Sequence, residues 1–459
     1  MAFFATLILV VVLVLRPQEI WPALNAFRLL DVFTALAAIG VGIDFALRKL
    51  RHPWSPQLPF LAAFVLCAYF ISGLFAGREG ISLATTRALV AAVFMLVVVY
   101  GARTPGRLGA LVGLLVALAT VVGLIAIHQG RTEPSCLEVP VVLDDDREDD
   151  DMGGEPDGRT CETRSDCRVG GRGDVDYECE RVGLFNTVSV ERRVRWRGQL
   201  ADPNELAVFL GAIIPFLFAW ITVKRRWYAT ALALALVGIA LYAVILTRSR
   251  GGQLVVGVVF AAYFFMRYRM KGLVVAAVLA LPIVLLGGRE GVNADASADE
   301  RQGVLYDAIT DFARHPIGQG IDQFTDQHHI TAHNAYLLAA VDLGLVGLFA
   351  WTGLLWASFK IPLTIVRRPP ANLDPVLRAF AVALMVSFLG TLVGIFFLSF
   401  TYKQLLFVWL GIAGALYGAV KDDDPSFEVR IGGKDLAGIF FGDLAMLAII
   451  FVYTRLNPK

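Results

Sequence analysis

Ala332-His333-Asn334-Ala335-Tyr336-Leu337-Leu338-Ala339-Ala340 marks the place where a polar segment of the chain passes directly into an apolar helix. The polar segment, residues 289–333, carries four of the six histidines of the protein. An imidazole where a water-facing loop meets a membrane span is suited to proton transfer at the bilayer surface. This junction is therefore the first candidate for chemistry, and the remaining chain is expected to be its scaffold.

The composition is that of a polytopic membrane protein. Of the 459 residues, 57% are hydrophobic and 18% are charged, which is more apolar surface than a soluble domain buries. The net charge of +1 gives no global field that would favour nucleic acid as a partner. The first apolar run, residues 3–15, has no basic segment before it and no small-residue cleavage site, so we expect a retained span.

Apolar segments of about 17–25 residues, the length that crosses a bilayer, recur along the chain. The expected fold class is therefore an all-α polytopic membrane protein with about twelve or thirteen transmembrane helices. The expected spans are residues 2–15, 27–47, 59–76, 85–101, 108–128, 204–223, 228–247, 252–266, 272–287, 334–358, 376–399, 404–420 and, more weakly, 436–453.

Basic residues occupy every second connection between these spans, which predicts that those connections are cytoplasmic. The alternation holds from the first span to the twelfth and places residues 129–203, 247–251 and 288–333 on the external side. If the last segment crosses the membrane, the C-terminus is external. If that segment lies flat or forms a half-helix, the C-terminus is internal, and the sequence leaves both possibilities open.

Five regions follow from this topology. They are N-terminal transmembrane helices (1–128), an external cysteine-containing acidic insert (129–203), central transmembrane helices (204–287), an external loop that carries the candidate chemistry (288–333), and C-terminal helices with a tail (334–459).

The external insert combines an acidic run at residues 144–151 with four of the five cysteines of the chain. An even number of cysteines in an external loop indicates two disulfides, for which three pairings are possible. Calcium binding by the acidic run and a solvated insert without chemistry remain alternatives, whereas the spacing does not fit a zinc site. The disulfide candidates are Cys136, Cys161, Cys167 and Cys179.

Two arginine-rich motifs stand at the predicted external ends of central spans. The first is Arg-Trp-Arg-Gly at residues 195–198, followed by Asp-Pro-Asn at 202–204, where the aspartate is expected to cap a helix and the proline to begin it. The second is Thr-Arg-Ser-Arg-Gly-Gly at residues 247–252. Its two arginines lie on the predicted external side, where the positive-inside rule does not account for basic residues. Guanidinium groups have a geometry that suits binding to phosphate oxygens.

Both arginine motifs have a competing structural interpretation. The arginines of the first motif and their neighbours would extend to lipid headgroups, and those of the second would lie on the surface of a tight turn. The side chains concerned are Arg192, Arg193, Arg195, Arg197, Arg248 and Arg250.

The third motif lies in the external loop and combines polar side chains with glycines. Arg-His-Pro-Ile-Gly-Gln-Gly at residues 314–320 precedes the His333 junction, and Gly344 and Gly347 follow it. A neutral imidazole with a pKa of about 6.5 is suited to accept a proton from a sugar hydroxyl. His333 is the preferred base because it stands at the helix junction, whereas His328 and His329 are expected to be solvated loop residues. The adjacency of these two histidines weakens a metal site.

In this order and spacing, the three motifs resemble those of the O-antigen ligase and O-antigen polymerase superfamily of bacterial membrane glycosyltransferases. The resemblance covers residues 195–347, whereas the N-terminal third of the chain matches only as generic membrane helix. The cysteine-containing insert and a further C-terminal helix depart from the family pattern. It implies a C-type, all-helical glycosyltransferase in the bacterial inner membrane, with its active site facing the periplasm. The implied donor is a glycan on undecaprenyl diphosphate, without metal or other cofactor.

By this resemblance His333 activates the acceptor hydroxyl, and Arg195 and Arg250 bind the diphosphate. In-line attack would invert the anomeric centre. Further candidates for contact with glycan or phosphate are Arg197, Arg248, Tyr306, Arg314, His315 and Asn334.

The acceptor is a glycan for a polymerase, lipid A-core for a ligase, or a protein for an O-oligosaccharyltransferase, and the motifs do not separate these. A transporter or flippase of lipid-linked glycans is an alternative from another class. It would show charges in mid-membrane and related halves, which the sequence lacks. The absence of a Walker A motif argues against a nucleotide-driven pump.

Overall fold

The computed structural model describes residues 2–49, 54–139, 154, 156–169, 175–286, 292–328 and 330–456. Its helices are α1 (Ala2–Leu15), α2 (Pro17–Ile20), α3 (Leu29–Ala46), α4 (Leu58–Ala84), α5 (Val90–Gly101), α6 (Pro105–Arg131), α7 (Arg164–Arg168), α8 (Pro203–Lys224), α9 (Trp227–Leu246), α10 (Arg250–Tyr268), α11 (Met270–Leu286), α12 (Val292–Arg314), α13 (Gln323–His328), α14 (Ala335–Arg367), α15 (Pro375–Gly394), α16 (Gln404–Asp423) and α17 (Gly433–Leu456). The strands are β1 (Pro134–Val139), β2 (Pro156–Thr160) and β3 (Asp176–Arg181).

The expected fold class is confirmed. In the described part of the chain, ten helices are long and apolar enough to cross a membrane, and Leu58–Gly101 counts as one of them. Two shorter apolar helices, Ala2–Leu15 and Met270–Ile283, accompany them. The loop 288–333, predicted to be external, is more ordered than the sequence predicts, because it contains α12 and α13.

The chain divides into two compact units. Unit 1 comprises residues 1–7, 33–112 and 290–459, and unit 2 comprises residues 8–32 and 113–289. Unit 1 therefore contains His333 and residues 290–333 of its loop, whereas unit 2 contains the insert and both arginine motifs.

In unit 1, α4 reverses direction at Gly77, where the backbone has φ 57° and ψ −127°. The hydroxyls of Tyr69 and Thr85 lie 2.7 Å apart, although sixteen residues of straight helix would separate them by about 24 Å. The predicted spans 59–76 and 85–101 are thus the two arms of a helical hairpin, and a π-helical segment, Thr85–Leu89, lies in the second arm.

A second reversal, which the sequence analysis did not predict, occurs in α14 at Gly344. The backbone there has φ 68° and ψ −171°, and the rings of Tyr336 and Trp351 lie 5.3 Å apart. A straight helix would separate these residues by about 22 Å. The expectation of one continuous span over residues 334–358 is therefore wrong, because residues 335–343 form a short helix that folds back along the longer segment 345–367.

The last helix, α17, runs antiparallel beside this longer segment of α14. Lys360 forms an ion pair with Asp435 at 2.7 Å, and Thr352 donates to Asp443 at 2.9 Å. Farther along α17, Arg455 donates to the Tyr306 hydroxyl of α12 at 3.1 Å. These contacts favour a full crossing over a flat or half-length helix and bring the C-terminal end of α17 to α12.

In unit 2, the insert forms a three-stranded antiparallel sheet in the order β2-β1-β3. The predicted pair of disulfides is confirmed, with the pairing Cys136–Cys167 and Cys161–Cys179. The bridged cysteines are buried together with Tyr177, so the disulfides form the core of a subdomain too small for a large hydrophobic one. The acidic run 144–151, and with it the calcium alternative, lies outside the described residues.

Candidate functional site

The first two motifs meet at Asn204 in unit 2. Its side-chain oxygen accepts hydrogen bonds from Arg193 at 2.8 Å and from the Ser249 hydroxyl at 2.7 Å. Its side-chain nitrogen donates to Asp202, which caps α8 as expected. Arg193 also donates from Nε to the backbone carbonyl of Thr247 at 2.9 Å. Asn204 and Arg193 therefore join the beginnings of α8 and α10 into one polar cluster.

Arg193 is a structural residue, although the sequence analysis named it only as one of the arginines that would extend to lipid headgroups. It is 5% exposed, and Arg195 and Arg197 are 8% and 7% exposed. For these three side chains, the alternative in which they extend to lipid headgroups is wrong, because a long side chain that reaches the headgroups stays exposed. The available signal was the doublet Arg192-Arg193, one residue before the first motif, but spacing alone does not distinguish Arg193 from the neighbouring arginines.

Arg195 and Arg197 have different surroundings. The Arg195 Nε donates to the carbonyl of Val188 at 2.8 Å, and its backbone N–H donates to the side chain of Gln129. Arg197 donates to the carbonyls of Glu19 and Phe185, and burial lowers its pKa, an effect that Glu19 partly offsets. Arg197 thus ties chain segments together through backbone carbonyls.

The second motif begins α10. Ser249 caps this helix by accepting from the Gly252 N–H at 3.0 Å, and a side chain at Gly252 would overlap Ala207 of α8. The side chains of Arg248 and Arg250, on either side of this cap, are exposed. The serine and glycine of the motif fix the backbone that carries the two arginines.

In unit 1, the glycine-rich segment 316–320 docks on the turn at Gly344. Gln319 and Gly320 donate their N–H groups to the carbonyls of Val341 and Asp342 at 3.1 and 2.9 Å. Leu345 donates to the carbonyl of Pro316 at 3.0 Å. The turn interrupts the helical hydrogen-bond ladder, and the docked segment supplies partners for the groups this releases.

His333 directly precedes the short returning helix. Asn334 caps that helix by accepting from the N–H groups of Tyr336 and Leu337, both at 3.0 Å. His333 is partly buried and has a left-handed backbone with φ 45°, a conformation uncommon for a residue other than glycine. Because Tyr336 packs on Trp351, seven residues beyond the turn, Tyr336 lies roughly 10 Å along the helix axis from Gly344. His333 lies three residues farther from the turn.

Three hydroxyl groups in the connection between α15 and α16 brace the chain on either side of His333. Ser399 contacts the Thr331 hydroxyl at 2.8 Å, Thr401 donates to the carbonyl of Ala335 at 2.7 Å, and Tyr402 donates to Asp342 at 3.0 Å. We call residues 399, 401 and 402 the hydroxyl brace. The sequence analysis missed it, since these residues lie about seventy positions after His333 and belong to no recognised motif.

The other candidates of the external loop lie at different places. His315 is exposed, and so is Arg314, which faces Asp311 at 3.8 Å. Tyr306 is engaged by Arg455, as described above. His328, expected to be solvated, instead bonds Asp311 at 3.0 Å, whereas His329 lies outside the described residues.

One further cation of unit 1 is held close to the docked segment. Arg87, in the π-helical segment, pairs with Asp322 at 3.2 Å, and Ile321 donates its N–H to the Ser72 hydroxyl at 3.1 Å. The helical hairpin around Gly77 thereby anchors the start of the segment that leads to His333.

The fold and these sites define a polytopic membrane protein in which capped helix ends present arginines in one unit and a histidine in the other. Residues 235–352 match the family described as O-antigen ligase. This match covers about a quarter of the chain and supports its resemblance to the O-antigen ligase and polymerase superfamily. No curated protein matches the chain.

Proposed function

We propose that this protein transfers a glycan from undecaprenyl diphosphate to an acceptor hydroxyl at the periplasmic face of the bacterial inner membrane. The observation that carries the proposal is that the segment matched to the O-antigen ligase family contains both Arg250 and His333. The proposed product belongs to surface polysaccharide, either O-antigen or exopolysaccharide.

In the proposed reaction, His333 accepts the proton of the acceptor hydroxyl while the hydroxyl oxygen attacks the anomeric carbon. The bond between that carbon and the diphosphate oxygen breaks, and undecaprenyl diphosphate leaves with the electron pair. Arg195 and Arg250 neutralise the charge that develops on the leaving group. Attack from the face opposite the diphosphate inverts the anomeric centre.

The position of His333 supports its proposed role as the base. The Asn334 cap and the hydroxyl brace fix the backbone before and after the imidazole, which reduces the freedom that an orienting site must remove. The capped start of α10 likewise fixes the backbone that carries Arg250. These features support the proposal because a base and a cation must both be held in place for in-line displacement.

The test is glycan transfer in membranes from cells that express His333→Ala or Arg250→Ala. We expect each variant to lose at least about a hundredfold in rate, since general-base and electrostatic contributions are each about that large. His128→Ala and Arg226→Ala, which replace exposed residues outside the motifs, are matched controls. Normal membrane insertion with undiminished transfer in both test variants would overturn the proposal.

A deletion strain distinguishes the acceptors. Single repeats on lipid A-core indicate a polymerase, and free lipid-linked polymer indicates a ligase. Loss of glycan from a protein, with normal lipopolysaccharide, indicates an O-oligosaccharyltransferase.

A further inference from the structure

The disulfide-linked insert brings arginines to the start of α10. Strand β3 ends at Arg181, whose backbone N–H donates to the Ser189 hydroxyl at 2.8 Å. The Arg181 carbonyl accepts from the N–H of Ser189 at 3.0 Å. The chain that follows β3 therefore folds back beside it and positions the next arginine, Arg192.

Arg192 lies against the same strand. Its backbone N–H donates to the Glu180 carboxylate at 2.9 Å, and its guanidinium lies 3.6 Å from the sulfur of Cys179. Because Cys179 is bridged to Cys161, this end of β3 is covalently fixed within the insert. Arg192 has a left-handed backbone with φ 61°, so the chain bends sharply here.

The next residue joins this bend to the second motif. Arg193 donates to the carbonyl of Thr247 at 2.9 Å, and Thr247 directly precedes Arg248, whose backbone is also left-handed. Arg192 and Arg248 are therefore adjacent in sequence to Arg193 and Thr247, the two residues that are in direct contact. Arg181, Arg192 and Arg248 form what we call the insert arginine cluster.

The charges in this cluster act on one another. The pKa of Arg181 is lowered by burial and then by the positive charges of Arg192 and Arg248, while Glu180 acts in the opposite direction. The charges of Glu180 and Asp166 act on this cluster. Glu180 accepts from Ser189 and the Arg192 backbone, and Asp166 accepts from the N–H groups of Glu162 and Thr163. The three guanidinium groups of the cluster outnumber these two carboxyl groups, and both carboxyl groups also accept hydrogen bonds from other donors.

We propose that Arg181, Arg192 and Arg248 form a binding site for an anionic group, a phosphate or a carboxylate, of the glycan donor. Arginine forks suit both kinds of anion, and an anion would relieve the repulsion among the three cations. This inference rests on the proposed function for the identity of the donor. It adds that the insert helps to select the donor.

The test measures binding by the purified full-length protein in nanodiscs at low salt, by calorimetry. The probes are inorganic pyrophosphate, an oligogalacturonate that carries carboxylates without phosphate, and a neutral maltooligosaccharide. Binding of pyrophosphate alone identifies the carrier diphosphate as the ligand. Binding of the oligogalacturonate alone identifies an acidic glycan. The neutral sugar is expected not to bind.

The variants are Arg192→Gln and Arg248→Gln, and we expect each to weaken anion binding about tenfold, the usual contribution of a hydrogen bond to a charged group. Arg181→Lys is a milder third variant, because the Arg181 guanidinium also donates to the carbonyl of Gly130. Arg168→Gln is the matched control, since it replaces an exposed arginine of the same insert that faces Asp176.

Two outcomes would overturn the inference: that neither anion binds, or that Arg192→Gln and Arg248→Gln bind as tightly as the unaltered protein. The second outcome would mean that other arginines, such as Arg250, account for the binding. His333→Ala separates this inference from the proposed function. It is expected to bind the anion normally while transfer is lost, so failure of transfer chemistry and failure of the anion site give different results.

Discussion

Replacing Gly344 with alanine tests whether the turn in α14 positions the candidate base. Gly344 has φ 68° and ψ −171°, a region essentially restricted to glycine, and another residue there costs about 1–3 kcal/mol. A Cβ at this position would also overlap the carbonyl carbon and oxygen of Ile317. These are backbone atoms of the docked segment and cannot rotate away.

The steric overlap adds a further cost of about 1–3 kcal/mol. The reduced entropy of the unfolded chain returns about 0.4–1 kcal/mol to the alanine variant. We therefore expect a net destabilisation of about 1–6 kcal/mol. If the docked segment moves away to relieve the overlap, the hydrogen bonds from Gln319, Gly320 and Leu345 weaken, and the returning helix that carries His333 loses its anchor.

The assay combines thermal unfolding of the purified protein in detergent with glycan transfer in membranes. Gly303→Ala is the control, because Gly303 lies in α12 with open space around its added Cβ. Alanine there should be neutral or should stabilise by up to about 1 kcal/mol. A Gly344→Ala protein with the unfolding temperature and transfer rate of the Gly303→Ala protein would refute the proposed turn.

Three further predictions follow from other contacts. Thr401→Val removes the hydrogen bond to Ala335 and should reduce kcat about tenfold with little change in KM, because it loosens the segment of His333 without touching the donor. Thr222→Val is the control, since the Thr222 hydroxyl bonds within its own helix. Equal kcat values for the two variants would contradict the role of the hydroxyl brace. Replacing Cys161 and Cys179 with serine should destabilise the insert by about 2–4 kcal/mol and speed its proteolysis. Cys67→Ser, which replaces the free cysteine, is the control and should have neither effect. Equal digestion rates for the two variants would show that the bridge is dispensable. Burial raises the pKa of Glu180 above its usual 4.5, so the stability that its protonated form contributes is complete below that pH and is lost as pH rises through the folded-state pKa. Thermal unfolding at several pH values should therefore show the unfolding temperature of Glu180→Gln increasing relative to that of the unaltered protein as pH rises. A constant difference between the two unfolding temperatures would argue against a buried carboxyl with a raised pKa.

Much of the architecture was predictable because membrane spans are specified locally. A helix in a bilayer must satisfy its backbone groups internally and present apolar side chains, so length and composition identify it. The same locality made the Asp202 cap and the oxidised insert predictable. The disulfide pairing was not, since spacing permits three arrangements and only the strand register selects one.

The turn at Gly344 shows where local reasoning failed. Residues 335–367 have the composition of a continuous helix, and the reversal depends on Pro316 and Ile317, which approach from a distant part of the chain. The hydroxyl brace and the contact between Arg193 and Asn204 are equally non-local. Each uses ordinary polar residues whose importance depends on the residue they meet.

The sequence by itself determined that this is a helical membrane protein, where its polar motifs lie and which side chains are chemically suited to glycan transfer, because these properties depend on residue type and short spacing. Only the tertiary structure decided which arginines are buried in structural contacts, how His333 is held and which arginines the insert gathers at the start of α10. These arrangements arise from contacts between residues far apart in the chain, whose partners no local pattern specifies.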